Sequence, residues 1–240
     1  MHHVTQPVKF RNIIIPDDSF FFENGTAYFT NDYLESIEQI RNFALKNKTP
    51  VKNEKLYFYY GRVSLNETRL ANYFQEKGYE LIRPETLPFS AQLNLLINCK
   101  SFASTVGSCA HNIIFTQNKT EVILIPRRPY LNGYQTALNQ MHDKNIFYVD
   151  ASLSIFAPNH LGYFFYILSK QLRQYFGDEW NGEYTTQDFE DYIQYLAFAQ
   201  NHGLKVHTES LKYYNPVLFD FINQLKNRSD LVKKYKLVFT

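Results

Sequence analysis

The feature that most constrains the fold is a regular alternation of short apolar segments and amphipathic segments between residues 55 and 149. The apolar segments have the length and the β-branched or aromatic composition of buried strands, and the segments between them repeat their apolar residues with helical spacing. The predicted strands cover residues 55–60, 79–82, 101–106, 121–125 and 146–149. This alternation is typical of a parallel sheet with helices on both faces. The sequence therefore predicts an α/β fold with a Rossmann-like doubly wound parallel sheet.

Several helix starts are predicted from capping residues. Asn31 is the predicted N-cap of a first helix, Ser64 and Glu67 form a predicted capping box, and Ser90 is predicted to cap a third helix. Two further helices are expected over residues 108–115 and 132–143.

The strand pattern ends near residue 150, and stripes of large apolar residues predict a helical tail. The stripes comprise Leu161, Phe164, Phe165, Leu168 and Leu172, then Phe189, Ile193, Leu196 and Ala197, then Leu218, Phe221, Ile222 and Leu225. The chain thus divides into an amino-terminal strand, loop and linker helix (1–50), the Rossmann-like domain (51–150) and a helical extension (151–240).

Charge and cysteine usage narrow the classes of function. With 25 Lys and Arg against 23 Asp and Glu, the net charge is +2, too small for a phosphate-backbone interface, so nucleic acid is not expected as a partner. Cys99 and Cys109 are too few for a disulfide framework or a zinc site and indicate a reducing compartment. Neither a signal peptide nor an apolar run of about 18 residues is visible. We therefore expect a cytoplasmic protein.

Candidate binding residues follow the predicted strands. In doubly wound sheets, ligands bind beyond the carboxyl ends of the strands, where helix N-termini attract anions. The residues at these positions are Arg62, Asn66, Glu85, Gly107, Ser108, His111, Asn112, Arg127 and Arg128. The turn at Gly107 matches neither the dinucleotide fingerprint nor the phosphate-binding loop of nucleoside triphosphatases.

An ordered set of motifs resembles glycosyltransferase family 61, the group that contains bacterial capsular polysaccharide transferases. The motifs are Phe58 to Arg62, then Asn66 and Glu67, Gly78 to Glu85, Leu87 to Gln92, and Gly107 and Ser108 followed by His111 to Phe115. The resemblance covers residues 55–126. One departure is that many members carry His before the glycine of the turn, whereas this chain has Val106.

The resemblance implies the donor-binding lobe of a two-lobed GT-B enzyme. Such an enzyme binds a nucleotide-sugar without a metal, because helix amides and basic side chains stabilise the diphosphate. On this basis we expect Gly107, Ser108 and His111 at the diphosphate, with Arg62, Arg127 and Arg128 as counter-charges. Glu85 is expected at the ribose or the sugar, and Asn112 is expected to brace the turn. No cofactor or metal is expected, and the sequence has no Asp-x-Asp motif.

The predicted reaction moves a sugar, with inversion, to a glycan or lipid-linked acceptor in surface polysaccharide synthesis. Candidates for the general base that inversion needs are Asp17, Asp18 and Glu23. Only about fifty residues precede the motifs, and we expect either that the acceptor lobe is absent from this chain or that the tail replaces part of it. Residues 1–50 are then expected to be a remnant or reduced acceptor side. The aromatic tail is expected to form a homodimer or to dock a partner chain or a lipid-linked acceptor at the inner face of the membrane.

Two other functions remain open from the residues alone. One is a non-catalytic interaction or regulatory subunit with a degenerate donor-binding fold. The other is an epimerase or a phosphotransferase on the same fold, because fold does not fix function.

Overall fold

The computed structural model describes residues 20–23, 26–59, 64–127, 133–140, 145–154, 164–201 and 216–237. The strands are β1 (Phe20–Glu23), β2 (Thr26–Phe29), β3 (Lys55–Phe58), β4 (Ser64–Leu65), β5 (Glu80–Ile82), β6 (Ser101–Thr105), β7 (Glu121–Ile125), β8 (Ile146–Tyr148) and β9 (Phe164–Phe165). The α-helices are α1 (Asn31–Lys46), α2 (Glu67–Glu76), α3 (Phe89–Asn98), α4 (Gly133–Gln140), α5 (Lys170–Tyr175), α6 (Thr186–Asn201), α7 (Pro216–Asn227) and α8 (Ser229–Tyr235). Two 3₁₀-helices cover Pro84–Thr86 and Ala110–Phe115.

A five-stranded parallel sheet of order β5-β3-β6-β7-β8 forms the centre of the fold. Alternate residues of each strand face opposite sides of a sheet. Tyr57, Ala103 and Ile123 therefore pack on one face with Leu70 and Phe74 of α2. On the other face, a second core joins the sheet to α3 and the 3₁₀-helix Ala110–Phe115. Its members include Leu56, Phe58, Phe102, Val122, Leu96 and Ile113. The predicted doubly covered parallel sheet is confirmed.

The strand order places a topological switch point between β3 and β6. From β3 the chain crosses through α2 to β5 on one side, whereas from β6 it continues through the 3₁₀-helix to β7 on the other side. Ligands of open α/β sheets bind in the crevice outside the carboxyl ends of the strands at such a point. The Ser104 hydroxyl donates to the carbonyl of Phe58 at 2.8 Å and ties the two strands together there.

Three predicted helix caps are wrong, although the helices themselves form. Thr30, not Asn31, caps α1, and its hydroxyl accepts from the Tyr33 amide at 3.2 Å. Ser64 cannot open α2 because it lies in β4, whose extended backbone pairs with β9. Pro88, not Ser90, is the N-cap residue of α3.

Two predicted helices also differ from the observed structure. The segment predicted as a helix over 108–115 forms a 3₁₀-helix that begins at Ala110, with the amide of Ala110 donating to Gly107 at 2.9 Å. Phe164 and Phe165 were expected on a helical stripe but form β9, because their backbone pairs with Ser64 and Leu65. Leu161 of that stripe lies outside the described residues. The amino-terminal strand, which the apolar run at residues 12–16 predicts, lies outside them as well.

The described part of the tail builds a core of its own. Phe189, Tyr192 and Ile193 of α6 pack against Leu218 and Phe221 of α7. Phe165 and Leu231 also belong to this core. Within the described residues the chain itself covers these stripes, and a homodimer or a docked partner on the tail stays a prediction.

The amino-terminal and carboxyl-terminal segments both contact the sheet domain. Ala44 of α1 packs with Leu93 and Ile97 of α3. Phe164 and Leu172 belong to the same core as Tyr57 and Ile123 of the sheet. The division of the chain at residues 50 and 150 stays a prediction. No helix within the described residues is long and apolar enough to cross a bilayer.

Candidate functional site

Glu85, Gly107 and Arg127 lie near the carboxyl edge of the sheet, where β3, β5, β6 and β7 end at Phe58, Ile82, Thr105 and Ile125. Of the site residues predicted from the sequence, Glu23, Asn66, Glu85, Gly107, Ser108, His111, Asn112 and Arg127 are described. Asp17, Asp18, Arg62 and Arg128 lie outside the described residues.

Arg127 and Gly107 make the closest approach at this edge. A Cβ atom built on Gly107 would lie 2.7 Å from Nη1 of Arg127 and 2.9 Å from its Cζ. A side chain at position 107 would therefore displace the guanidinium, and the glycine is what lets the guanidinium lie against the turn. Ser108 is exposed on the same turn.

Polar contacts hold the guanidinium of Arg127 at the switch point. Its Nη2 donates to Oγ1 of Thr105 at 3.2 Å, and that hydroxyl donates to Oε1 of Glu67 at 3.5 Å. The guanidinium also lies over the ring of Phe164, with Cζ 5.2 Å from the ring centroid. The buried Nε of Arg127 has no hydrogen-bond partner among the residues that the structure describes. Arg127 is therefore a fixed cation with a donor available to an anion.

Glu67 and Thr105 are site residues that sequence reasoning missed. Glu67 is only 3% exposed and is the first residue of α2. The sequence carries a signal for Glu67, because Asn66 and Glu67 form one of the ordered motifs, but Glu67 also completes a capping-box pattern with Ser64. Thr105 carries no signal of its own, since a threonine at the end of a strand is common.

Cys109 lies in the turn itself and Tyr57 lies in β3, and Glu67 and Arg127 affect the pKa values of both side chains. Burial raises the pKa of the Cys109 thiol to about 11, Arg127 opposes the shift, and Glu85 and Glu67 add to it. Burial, and then Glu67, raise the pKa of the Tyr57 hydroxyl. Cys99 and Cys109 are both free and buried.

His111 and Asn112 lie on the 3₁₀-helix that follows the turn. The side-chain amide of Asn112 donates to the carbonyl of Cys109 at 3.0 Å. Burial lowers the pKa of His111, and its buried Nε2 has no hydrogen-bond partner in the described part of the chain. At neutral pH this side chain is therefore a neutral imidazole and not a permanent positive charge.

Glu85 lies on a loop that is fixed from two sides. Arg83 donates through Nε and Nη2 to Oε1 of Glu85, at 3.0 and 2.8 Å. Gln92 of α3 donates to the carbonyls of Pro84 and Leu87, at 2.8 and 2.9 Å. Gln92 therefore positions the loop that carries Glu85, which gives a structural reason for its place in the motif set.

Two of the predicted site residues, Asn66 and Glu23, make their observed contacts away from the Gly107 turn. The side-chain amide of Asn66 donates to Oδ2 of Asp191 in α6 at 3.2 Å, and its backbone has a left-handed φ of 62°. Asn66 thus links the start of α2 to the tail. Glu23 is exposed at the end of β1, in a hairpin where it pairs with Thr26 of β2.

Comparison with known proteins gives one family match. The family described as Glycosyltransferase 61 matches residues 4–123, half of the 240-residue chain. The match begins about fifty residues before the motifs that carry the resemblance, so it includes most of the segment predicted as a reduced acceptor side. No curated protein matches the chain. Because the family match spans half of the chain and contains the Gly107 turn and the loop of Glu85, this chain belongs to glycosyltransferase family 61 and is a glycosyltransferase.

Proposed function

We propose that the chain binds a nucleotide-sugar at the carboxyl edge of the sheet and that the turn at Gly107, with Arg127, holds the diphosphate. The observation that carries the proposal is the position of the Arg127 guanidinium, which lies against Gly107 at the switch point between β3 and β6. Departure of a nucleoside diphosphate places negative charge on its oxygens, and a preorganised cation stabilises that charge. Arg127 supplies such a cation without any rearrangement.

In this proposal, other residues at the edge have secondary roles. His111 contributes a neutral imidazole that can donate one hydrogen bond, Asn112 braces the turn, and Glu85 meets the ribose or the sugar. Arg62 and Arg128 are further counter-charges for the diphosphate. The proposed reaction is inverting and independent of metal, and the candidates for its general base are Asp17, Asp18 and Glu23.

The proposed acceptor is a glycan or a lipid-linked glycan in surface polysaccharide synthesis. The transfer would take place in the cytoplasm, at the inner face of the membrane when the acceptor is lipid-linked. A homodimer or a partner chain that supplies the acceptor side belongs to the same proposal.

Calorimetry with uridine diphosphate and cytidine diphosphate tests the donor site. We expect binding of at least one of them in the presence of a chelator, and an affinity loss of about tenfold or more in Arg127→Met, the scale of a lost hydrogen bond to a charged group. Lys119→Ala is the matched control, because this exposed lysine precedes β7 at the opposite end of the strand. Strict dependence on Mg²⁺ or Mn²⁺ would overturn the metal-independent mechanism, and normal binding by Arg127→Met would overturn the site.

A further inference from the structure

A cavity of about 530 Å³ lies between α5 and the start of α6. Its lining includes Trp180, the single tryptophan of the chain, together with Arg173, Glu179, Asn181 and Glu183. We propose that this Trp180 cavity binds one uncharged sugar unit of the acceptor glycan. The inference rests on the proposed function, in which the acceptor is a glycan, and it assigns a place to that acceptor.

The lining has the chemistry that a sugar ring requires. A sugar presents C–H groups on its faces and hydroxyls around its rim. The indole of Trp180 offers an apolar surface for the face, while carboxylates accept from hydroxyls and a guanidinium or an amide donates to them. Glu179 and Glu183 outnumber Arg173 among the charges near the indole, which disfavours an anionic ligand. An uncharged, hydroxyl-rich ligand fits best.

Arg173 offers a donor that the protein itself does not use. Its Nε is buried and meets no hydrogen-bond acceptor among the described residues, and its guanidinium carbon lies 5.9 Å from the centroid of the Trp180 ring. An unpaired buried donor is costly. A ligand hydroxyl beside the indole would satisfy it.

The walls of the cavity are held in place before any ligand arrives. The ring of Trp180 packs edge-on against that of Tyr184, with 5.0 Å between the ring centroids. Gln224 of α7 accepts from the Tyr184 amide at 3.3 Å and donates to the carbonyl of Gly182 at 3.2 Å. Preorganised walls lower the entropic cost of binding. These contacts hold the Trp180 side of the cavity in shape without a ligand.

The cavity is connected to the donor edge through α2. Asp188, which lines the cavity, pairs with Arg69 in the first turn of α2. The same turn begins with Glu67, which accepts from Thr105 at the carboxyl edge. A glycan held at Trp180 would therefore lie along the side of the helix that starts at the donor edge.

Trp180 is its own reporter, because no other indole contributes to the emission of the chain. We would titrate the full chain with maltohexaose, cellohexaose and chitohexaose and record tryptophan emission. At least one is expected to change the emission saturably. Arg173→Lys and Glu183→Gln should each weaken that binding by about tenfold or more, whereas Lys170→Ala, an exposed position on the same helix, should not.

Two outcomes overturn the inference. One is an emission that none of the three oligosaccharides changes. The other is a saturable change that Arg173→Lys and Glu183→Gln leave as tight as in Lys170→Ala, because the ligand would then bind elsewhere. Calorimetry with uridine and cytidine diphosphates on the same protein separates this failure from that of the proposed function. If the chain binds a nucleotide but does not respond to an oligosaccharide, only the proposal for the Trp180 cavity is contradicted. If it responds to an oligosaccharide but binds no nucleotide, only the proposed donor site is contradicted.

Discussion

The guanidinium of Arg127 occupies the space that a side chain at Gly107 would need, with Nη1 only 2.7 Å from the position of a Cβ atom. Gly107→Ala is therefore expected to displace the guanidinium from the turn and to weaken binding of uridine or cytidine diphosphate by about tenfold. Calorimetry on both proteins gives the affinities. The variant tests the glycine as the residue that seats the arginine.

Gly78→Ala is the matched control for backbone strain at Gly107. Gly78 also has a positive φ, of +86°, but a Cβ atom there would meet nothing within 4 Å. The control should lose stability and keep its nucleotide affinity. Equal nucleotide affinity in Gly107→Ala and in the unmodified chain would show that the position of the guanidinium does not matter for binding.

Protonation of His111 is expected to destabilise the fold in mild acid. Burial holds the pKa of this imidazole below its value of 6.5 in an unfolded chain. The unfolded state therefore binds more protons than the folded state as the pH falls through 6.5, and the free energy of unfolding falls with it. The contribution is fully present above that pH and is lost below it.

Urea denaturation at pH 7.5 and pH 5.5 measures this effect. The loss of stability between the two values should be smaller in His111→Gln than in the unmodified chain, because glutamine does not titrate. The other six histidines of the chain are common to both proteins, so the difference isolates His111. Identical losses in the two proteins would mean that His111 is accessible to water in solution.

Among the carboxylates that join the tail to α2, Asp188 is expected to contribute most to the free energy of unfolding. It is 5% exposed, pairs with Arg69, and accepts from the Thr185 amide at 2.8 Å and from the Thr185 hydroxyl at 2.7 Å. Asp188→Asn keeps the shape but removes the charge, and should lower the free energy of unfolding by about 1.5–3 kcal/mol.

Asp230→Asn provides the comparison for Asp188. Asp230 also pairs with an arginine, Arg228, but its side chain is 60% exposed. Exposed pairs are screened by water and contribute little to stability. Chemical denaturation should therefore place the Asp230 variant close to the unmodified chain. Equal losses at the two positions would contradict a structural role for the Arg69–Asp188 pair.

The strands of the central sheet were predictable from the sequence, but the pairing of β4 with β9 was not. Buried parallel strands such as β6 and β7 are uninterrupted runs of apolar or small residues, and such a run can be recognised within a short segment of the sequence. The short pair β4 and β9 carries no such signal, because its two strands lie about a hundred residues apart in the chain and are fixed by pairing alone. The spacing of the apolar residues around Phe164 consequently predicts a helix, whereas Phe164 lies in β9.

The candidate site divides in the same way. Gly107 and Arg127 were identified individually because each follows a strong strand, but their contact depends on the parallel register that places Thr105 beside Ile125. Glu67 was missed because a carboxylate near a helix start favours a cap. Thr105, which donates a hydrogen bond to Glu67, is 38 residues away in the sequence.

The tail core should depend on Phe221 far more than on Phe219, two residues earlier on α7. Phe221 is fully buried. Its ring centroid lies 4.8, 4.9 and 5.0 Å from the ring centroids of Tyr184, Phe189 and Tyr192. Phe219 is 37% exposed. Removing a fully buried phenylalanine leaves a cavity and loses its transfer free energy, so Phe221→Ala should cost about 3–5 kcal/mol of unfolding free energy.

Phe219→Ala serves as the matched control, since it removes the same side chain from the same helix. It should leave the free energy of unfolding within about 1 kcal/mol of the unmodified chain, as is usual for surface positions. Urea denaturation gives both values, and sedimentation of each variant reports assembly. Similar stability of the two variants, with loss of a dimer in Phe221→Ala alone, would show that Phe221 is used between chains. The tail would then be a docking surface, and the core that the chain builds for itself would not be what holds these helices together.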